Sequence, residues 1–143
     1  MTIRVHLATD ESREGWGAMT DRSGRTVYVC PRVEIDNRDV DVARALRSGR
    51  RSLLQITLNH VGAGRLRALT EQHSSGTAVV RNLYGEAIGL LVGARLAIII
   101  DDKLICAPPI DAPVAGGEIL LLDVFSVEEA ERVAAGLNQR SGS

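Results

Sequence analysis

One stretch near the C-terminus, LAIIIDDKLICAPPIDAPVAGGEILLLDVFSVEEAERVAAGL from Leu96 to Leu137, constrains the fold more than any other. Leu96–Ile100 is apolar at every position, as a strand buried on both faces should be. Asp101-Asp102-Lys103 then reads as a hairpin turn, because Asp tolerates the dihedrals that a turn demands. Leu104–Ala107 returns beside the first strand, and Pro108, Pro109 and Pro113 impose an extended, irregular path after it. Gly116-Gly117 turns the chain into a third strand, Glu118–Val124. Ser126 and Glu129 have the spacing of a capping box at the start of a last helix. Val127, Ala130, Val133, Ala134 and Leu137 give that helix its apolar stripe.

The upstream chain reads in the same terms. Ile3, Val5 and Leu7 alternate with Arg4 and His6, the period of a half-buried strand. TDESREGWGAMTDRSG reads as a long surface loop, and Arg25–Cys30 as a second strand ended by Pro31. A helix is expected from an N-cap at Asp36, with Asp39 in its first turn, Val40, Ala43 and Leu46 as its stripe and Gly49 as its stop. Ser52–Asn59 alternates as a third strand. A second helix begins around Val61, with Leu66 and Leu69 inward. Val79, Val80, Leu83, Tyr84, Ala87, Ile88 and Leu91 recur at helical spacing, so Thr77–Leu91 is expected as a further helix after the Ser74–Gly76 break. The expectation is a single α+β domain over residues 1–143, in the order β-β-α-β-α-α-β-β-β-α. It has an antiparallel or mixed sheet of about five to six strands packed by three to four helices.

Composition limits the function classes. A net charge of −1 gives no global field toward nucleic acid or anionic lipid. Trp16, Tyr28, Tyr84 and Phe125 are all the aromatic residues, too few for a base-stacking platform on a single-stranded nucleic acid. Cys30 and Cys106 lie far apart in expected strands and read as buried free thiols, although two cysteines alone leave a disulfide open. The N-terminus lacks the charged and apolar regions of a signal peptide. LLVGARLAIII is too short for a membrane span and carries Arg95 in its middle. No membrane insertion is therefore expected, and the sequence as it stands reads as cytoplasmic.

The chemistry-bearing residues do not assemble into a recognisable motif. Gly62-Ala63-Gly64 follows a strand and opens a helix, as a phosphate-binding turn would, but Arg67 stands where the third glycine of a dinucleotide fingerprint belongs. Asp101, Asp102, Asp111 and Asp123 have no calcium-loop spacing. His6, His60 and His73 are dispersed, without zinc spacing, and Ser74 and Ser75 lack a nucleophile-elbow context. Arg44, Arg47, Arg50 and Arg51 form a basic cluster expected as a solvated face, with phosphate binding as the lesser reading. The chain is accordingly expected to be no enzyme and to need no cofactor, metal or nucleic acid.

The stretch LAIIIDDKLICAPPIDAPVAGGEI, followed by Phe125 and SVEEAERVAAGL, resembles the SecDF P1 head subdomain, the head of the first periplasmic domain of SecD, a protein-export accessory subunit. VEIDNRDVDVARAL is similar to that family's capped helix, and ITLNHVGAGRLRALT to its strand, Gly-Ala turn and helix. IRVHLATDE and TVYVCPRVEI extend the likeness over nearly the whole chain. Asp102 departs from the family, which usually has glycine in this turn, so a different turn type is expected here. Asp123-Val124 departs where a glycine-containing turn is usual. Residues 71–91 are longer than the family's link and are expected as a helical insertion. The resemblance implies a non-enzymatic module that contacts polypeptide or a protein partner, in a family that is membrane-tethered with its head outside the cytoplasm. The candidate partner surface is the inserted helix: Val80, Leu83, Tyr84, Ala87, Ile88 and Leu91. Two alternatives stand beside it: a homo-oligomeric scaffold docking through residues 77–91, and an enzyme or phosphate-ligand binder.

Overall fold

The structure, a computed structural model, describes residues 1–73, 77–81, 87–92, 94–110, 114 and 116–139. Five strands form sheet A: β1 (Ile3–Thr9), β2 (Gly17–Thr20), β3 (Thr26–Asp36), β8 (Arg95–Ile100) and β9 (Lys103–Cys106), in the order β2-β3-β1-β8-β9. Sheet B has the order β10-β5-β4, from β4 (Val40–Ser48), β5 (Arg51–Leu58) and β10 (Glu118–Leu122). A separate hairpin pairs β6 (Thr77–Arg81) with β7 (Ala87–Val92). Every pairing is antiparallel. Two helices, α1 (His60–His73) and α2 (Val127–Asn138), complete an α+β architecture.

One core joins these layers. Ile3, Val5, Leu96, Ile98 and Ile100 of sheet A meet Leu54, Ile56, Leu58, Ile119 and Leu121 of sheet B, with Leu66 from α1 and Val133 and Leu137 from α2. Alternation in β5, where Ser52, Leu54, Ile56 and Leu58 are buried and their neighbours are not, puts one face of sheet B inward and leaves the other outward. The expected capping box of the last helix forms: Glu129 N–H donates to Ser126 Oγ at 3.1 Å, and Ser126 N–H to Glu129 Oε1 at 3.2 Å.

Four expectations are corrected. Asp36 does cap, with Arg38 and Asp39 in a capping box, but the helix it starts is one 3-10 turn, Asn37–Asp39. The residues expected to continue it form β4, because pairing with β5 from Val40 to Ser48 outweighs a cap signal that marks only a start. The expected helix over Thr77–Leu91 is instead the strand pair β6 and β7 in its described parts, with Ala78 opposite Leu91 and Val80 opposite Gly89. Short apolar runs fit either period, and here the β-branched Thr77, Val79, Val80 and Ile88 side with the strand. Pro31 does not end β3, which runs on to Asp36. It sits in a bulged stretch, between Val29 and Val33, where its missing N–H removes no ladder bond to β1. The loop expected over residues 9–24 contains the short strand β2. The described residues thus hold two α-helices rather than three or four, and two sheets plus a hairpin rather than one sheet.

Candidate functional site

The sheets end at edges of unequal character. The outer edge of β4 is blocked at Ala43: Asn138 of α2 accepts from Ala43 N–H at 2.8 Å and donates to Ala43 C=O at 2.9 Å. The outer edge of β10, among the described residues, pairs with no strand. It faces the exit of β9, which is the edge of sheet A. Between them lies a groove of about 340 Å³ whose apolar wall is Cys106, Ala107, Pro108, Leu120, Leu122 and Val124. Asp21 and Arg25 stand at its rim. Asp21 is a turn-maker there, accepting from the N–H groups of Ser23 and Arg25 at 2.9 Å each. An unpaired strand edge beside apolar side chains is a template for an added strand.

Supporting contacts hold both walls. Leu96 N–H donates to Pro108 C=O at 3.0 Å and Ile110 N–H to Ala94 C=O at 3.0 Å, so the proline segment stays tied to β8. Arg95, only lightly exposed, donates to Ala107 C=O at 2.8 Å and pairs with Asp10 at 3.1 Å. On the β10 side, Asp123 takes a left-handed φ of 56° and receives Arg51 at 2.9 Å and Ser52 N–H at 3.1 Å. The Arg51 hydrogen bond holds the Asp123 carboxyl below its usual range. Ser52 Oγ donates to Phe125 C=O. Asp101 and Asp102, with φ of 49° and 64°, occupy the two left-handed positions of a type I′ turn without glycine.

A larger recess of about 460 Å³ lies between β3 and α1, lined by Arg32, Glu34, Arg38, Arg65 and apolar neighbours. Its guanidinium groups are each committed to a carboxylate: Arg32 to Glu34 at 3.6 Å, Arg38 to Asp36 at 2.8 Å and Arg65 to Asp39 at 3.4 Å. Burial raises the Glu34 carboxyl against the pull of Arg32 and Arg65. Such balanced pairs favour a structural role over a ligand site.

The sequence-derived candidates disperse in three dimensions. Val80 lies in β6, and Ala87, Ile88 and Leu91 in β7, while Leu83 and Tyr84 fall outside the described residues. The helix face that grouped them is absent where the backbone is described. Asp111, Ser74 and Ser75 also lie outside. Gly62 is needed by packing: a Cβ there would stand 2.6 Å from Asp39 Cβ. Asn59 caps the same helix start, accepting from Gly62 N–H at 2.9 Å, so the N-terminus of α1 is occupied by protein. Among the described residues no three His, Cys, Asp or Glu gather as a metal site. Cys30 and Cys106 are both free, and burial pushes the Cys106 thiol up to about 11. The basic cluster belongs to the β4–β5 hairpin rather than a helix. Sequence reading missed the groove because its walls are far apart in sequence. The apolar run Ile119–Leu122 signalled the strand β10, but being apolar on both faces it did not show that Leu120 and Leu122 line a groove.

Comparison with known proteins extends this geometry. The family described as SecDF, P1 head subdomain, matches residues 13–143. The protein translocase subunit SecD of Rickettsia bellii (strain RML369-C) is 43% identical over 61 residues, which is 43% of this chain and 12% of that protein. The SecD subunit of Rickettsia conorii (strain ATCC VR-613 / Malish 7) is 39% identical over 61 residues, 43% of this chain and 11% of its own length. The matched stretch is therefore a small part of those relatives. Two solved structures superpose with a TM-score of 0.64 at 19% identity, each covering 95% of this chain. One is SecDF in a super-membrane-facing form, of which 18% is covered; the other is SecDF described as a membrane component that enhances protein export, of which 61% is covered. Among the described residues no helix is long and apolar enough to cross a membrane.

Proposed function

The chain belongs to the SecDF P1 head subdomain family, and from that premise we propose that it is a non-enzymatic polypeptide-binding module acting in protein export. Its relatives are named translocase subunits, which supports a partner among chains in transit or the machinery that moves them. The observation that carries the reading is the groove between Cys106–Pro108 and the unpaired edge of β10. A chain in extended form adds to that edge through main-chain hydrogen bonds, which need no particular sequence, while Leu120, Leu122 and Val124 cover its apolar side chains. A thiol raised to about 11 is a poor nucleophile at neutral pH, which supports binding over catalysis at Cys106.

The test is an NMR titration with reduced, alkylated α-lactalbumin, a chain held unfolded. Amide shifts are expected along β10 and at Cys106–Ala107, and Leu120→Glu is expected to weaken binding at least tenfold by placing a charge on the edge. Leu120 is 56% exposed, so this variant should fold. Perturbation elsewhere, or full affinity in the variant, would remove the groove from the reading. A second reading, self-association, is favoured by the β6–β7 pair, a two-stranded sheet with no further strand partner among the described residues. Light scattering would support it if a dimer were seen that Ile88→Asp dissociates.

A further inference from the structure

The outward face of sheet B carries an apolar row that the core does not use. Register places Leu46 of β4 opposite Leu53 of β5, and Leu53 opposite Leu122 of β10, so three leucines cross the sheet side by side. Leu46 and Leu122 are 44% and 51% exposed. Leu120 continues the patch in the next row, beside Gln55 and Arg44. A sheet face this apolar is ordinarily covered by a second layer, and α2 already occupies the other side.

Charge distinguishes the possible covers. The hairpin from Arg44 to Arg51 holds four arginines and no acidic residue. Arg51 is paired with Asp123 at 2.9 Å, and Arg47 turns back to Gly49 C=O at 3.0 Å. Arg44 and Arg50 are exposed and make no ion pair with a described residue. Arg44 stands in the row next to the leucines, across from Gln55, and Arg50 lies in the turn between β4 and β5. A membrane surface is disfavoured because a flat headgroup layer would meet Glu118 and the Asp123 carboxylate together with the cations, whereas a polypeptide segment can set its carboxylates against Arg44 and leave those acids to solvent. A second copy would bring the same basic hairpin, and the Asp123 carboxylate on this face is already taken up by Arg51. An acidic, leucine-bearing polypeptide satisfies both features.

We propose that the outward face of sheet B binds acidic, apolar segments of the polypeptide held in the neighbouring groove, with Leu46, Leu53 and Leu122 covering apolar residues and Arg44 and Arg50 meeting carboxylates. The inference rests on the groove reading, because Leu122 belongs to both surfaces. It adds a selectivity that strand addition alone lacks. Cations at the rim act mainly on specificity and association rate, so the effect should fade with salt.

The experiment compares reduced, alkylated α-lactalbumin with the same chain after its carboxyl groups are amidated, binding to the full chain at low and high salt. The wild type is expected to bind the acidic form about tenfold more tightly at low salt, the ratio that one net charge-assisted contact supplies. Arg44→Gln with Arg50→Gln should bring the ratio to within about twofold, leaving affinity for the amidated chain unchanged. Leu46→Ser should weaken both. Equal binding of the two forms, with Leu120→Glu still disruptive, would overturn this inference and leave the groove reading standing. Failure to bind either form would remove both. Arginine-dependent sedimentation with phosphatidylglycerol vesicles but no preference between the two chains would overturn it in favour of a membrane surface. A dimer dissociated by Leu46→Ser would overturn it in favour of self-association.

Discussion

His6 lies in the middle of β1, 4% exposed, with Nδ1 within 2.7 Å of the Cys30 carbonyl and Nε2 without a hydrogen-bond partner. The neutral ring with its proton on Nδ1 fits this setting; adding a second proton would bury an unsatisfied charge. Burial accordingly lowers the His6 pKa below 6.5, and Arg4 adds to the effect. The unfolded chain then takes up its proton first as pH falls, so this contribution to stability is complete above about 6.5 and is lost below it. Glu34, whose carboxyl is raised by burial, works in the opposite sense. Urea denaturation from pH 7.5 to 5.5 is expected to show falling stability (pH range set by the ordinary His pKa of about 6.5), and His6→Gln should flatten that fall. An unchanged slope would assign it to other groups. Gly62 and Gly64 give a second contrast within one helix. Gly62→Ala should cost about 1–3 kcal/mol, since the new methyl meets Asp39. Gly64→Ala, with nothing within 4 Å, should stabilise by about 0.8 kcal/mol through helix propensity. Thermal unfolding of both variants checks whether the Gly-Ala-Gly run serves packing.

At the scale of elements, caps and alternation were legible while length and partner were not. Ser126 and Glu129 announce α2, and its buried Ala130, Val133, Ala134 and Leu137 follow the expected stripe. Asp36 announces a helix with equal local strength, yet the chain leaves it after Asp39 because β5 offers eight residues of β4 a ladder. The apolar run of β10 marks a strand, but not that Ile119 and Leu121 face inward or that its outer edge pairs with no strand among the described residues. Asn138 shows how an edge is closed. Asn138→Ala should destabilise by about 1–3 kcal/mol, because the buried Ala43 N–H and C=O lose their partners. Asn138→Asp keeps the acceptor for Ala43 N–H and should recover part of that loss. Equal unfolding free energies for wild type and Asn138→Ala would show that water replaces the side chain freely. By the same logic, the edge of β10, which pairs with no strand among the described residues, can take up another chain.

Across the whole molecule, the proposed binding surfaces are products of assembly. The groove joins residues near 106–108 with residues 120–124, brought together by the pairing of β9 with β8 and of β10 with β5. The basic run from Arg44 to Arg51 was visible as a cluster, but only its strand register against Leu53 and Leu122 puts it beside an apolar row. Residues 77–92 show the reverse: their apolar content was plain, while the pairing of β6 with β7 was not. Sequence by itself determined the local terms: the turn at Asp101-Asp102, the cap at Ser126, the buried strand Leu96–Ile100, and a family likeness that the comparison over residues 13–143 upholds. Those features depend on dihedral preference and hydrogen bonds between near neighbours, which a few residues suffice to specify. Tertiary structure alone decided that Val40–Ser48 became a strand, that Asn138 blocks the β4 edge at Ala43 and that β10 has no outer strand partner among the described residues. Those outcomes turn on hydrogen-bond partners distant in sequence, and long-range pairing outweighs a local preference when the two conflict.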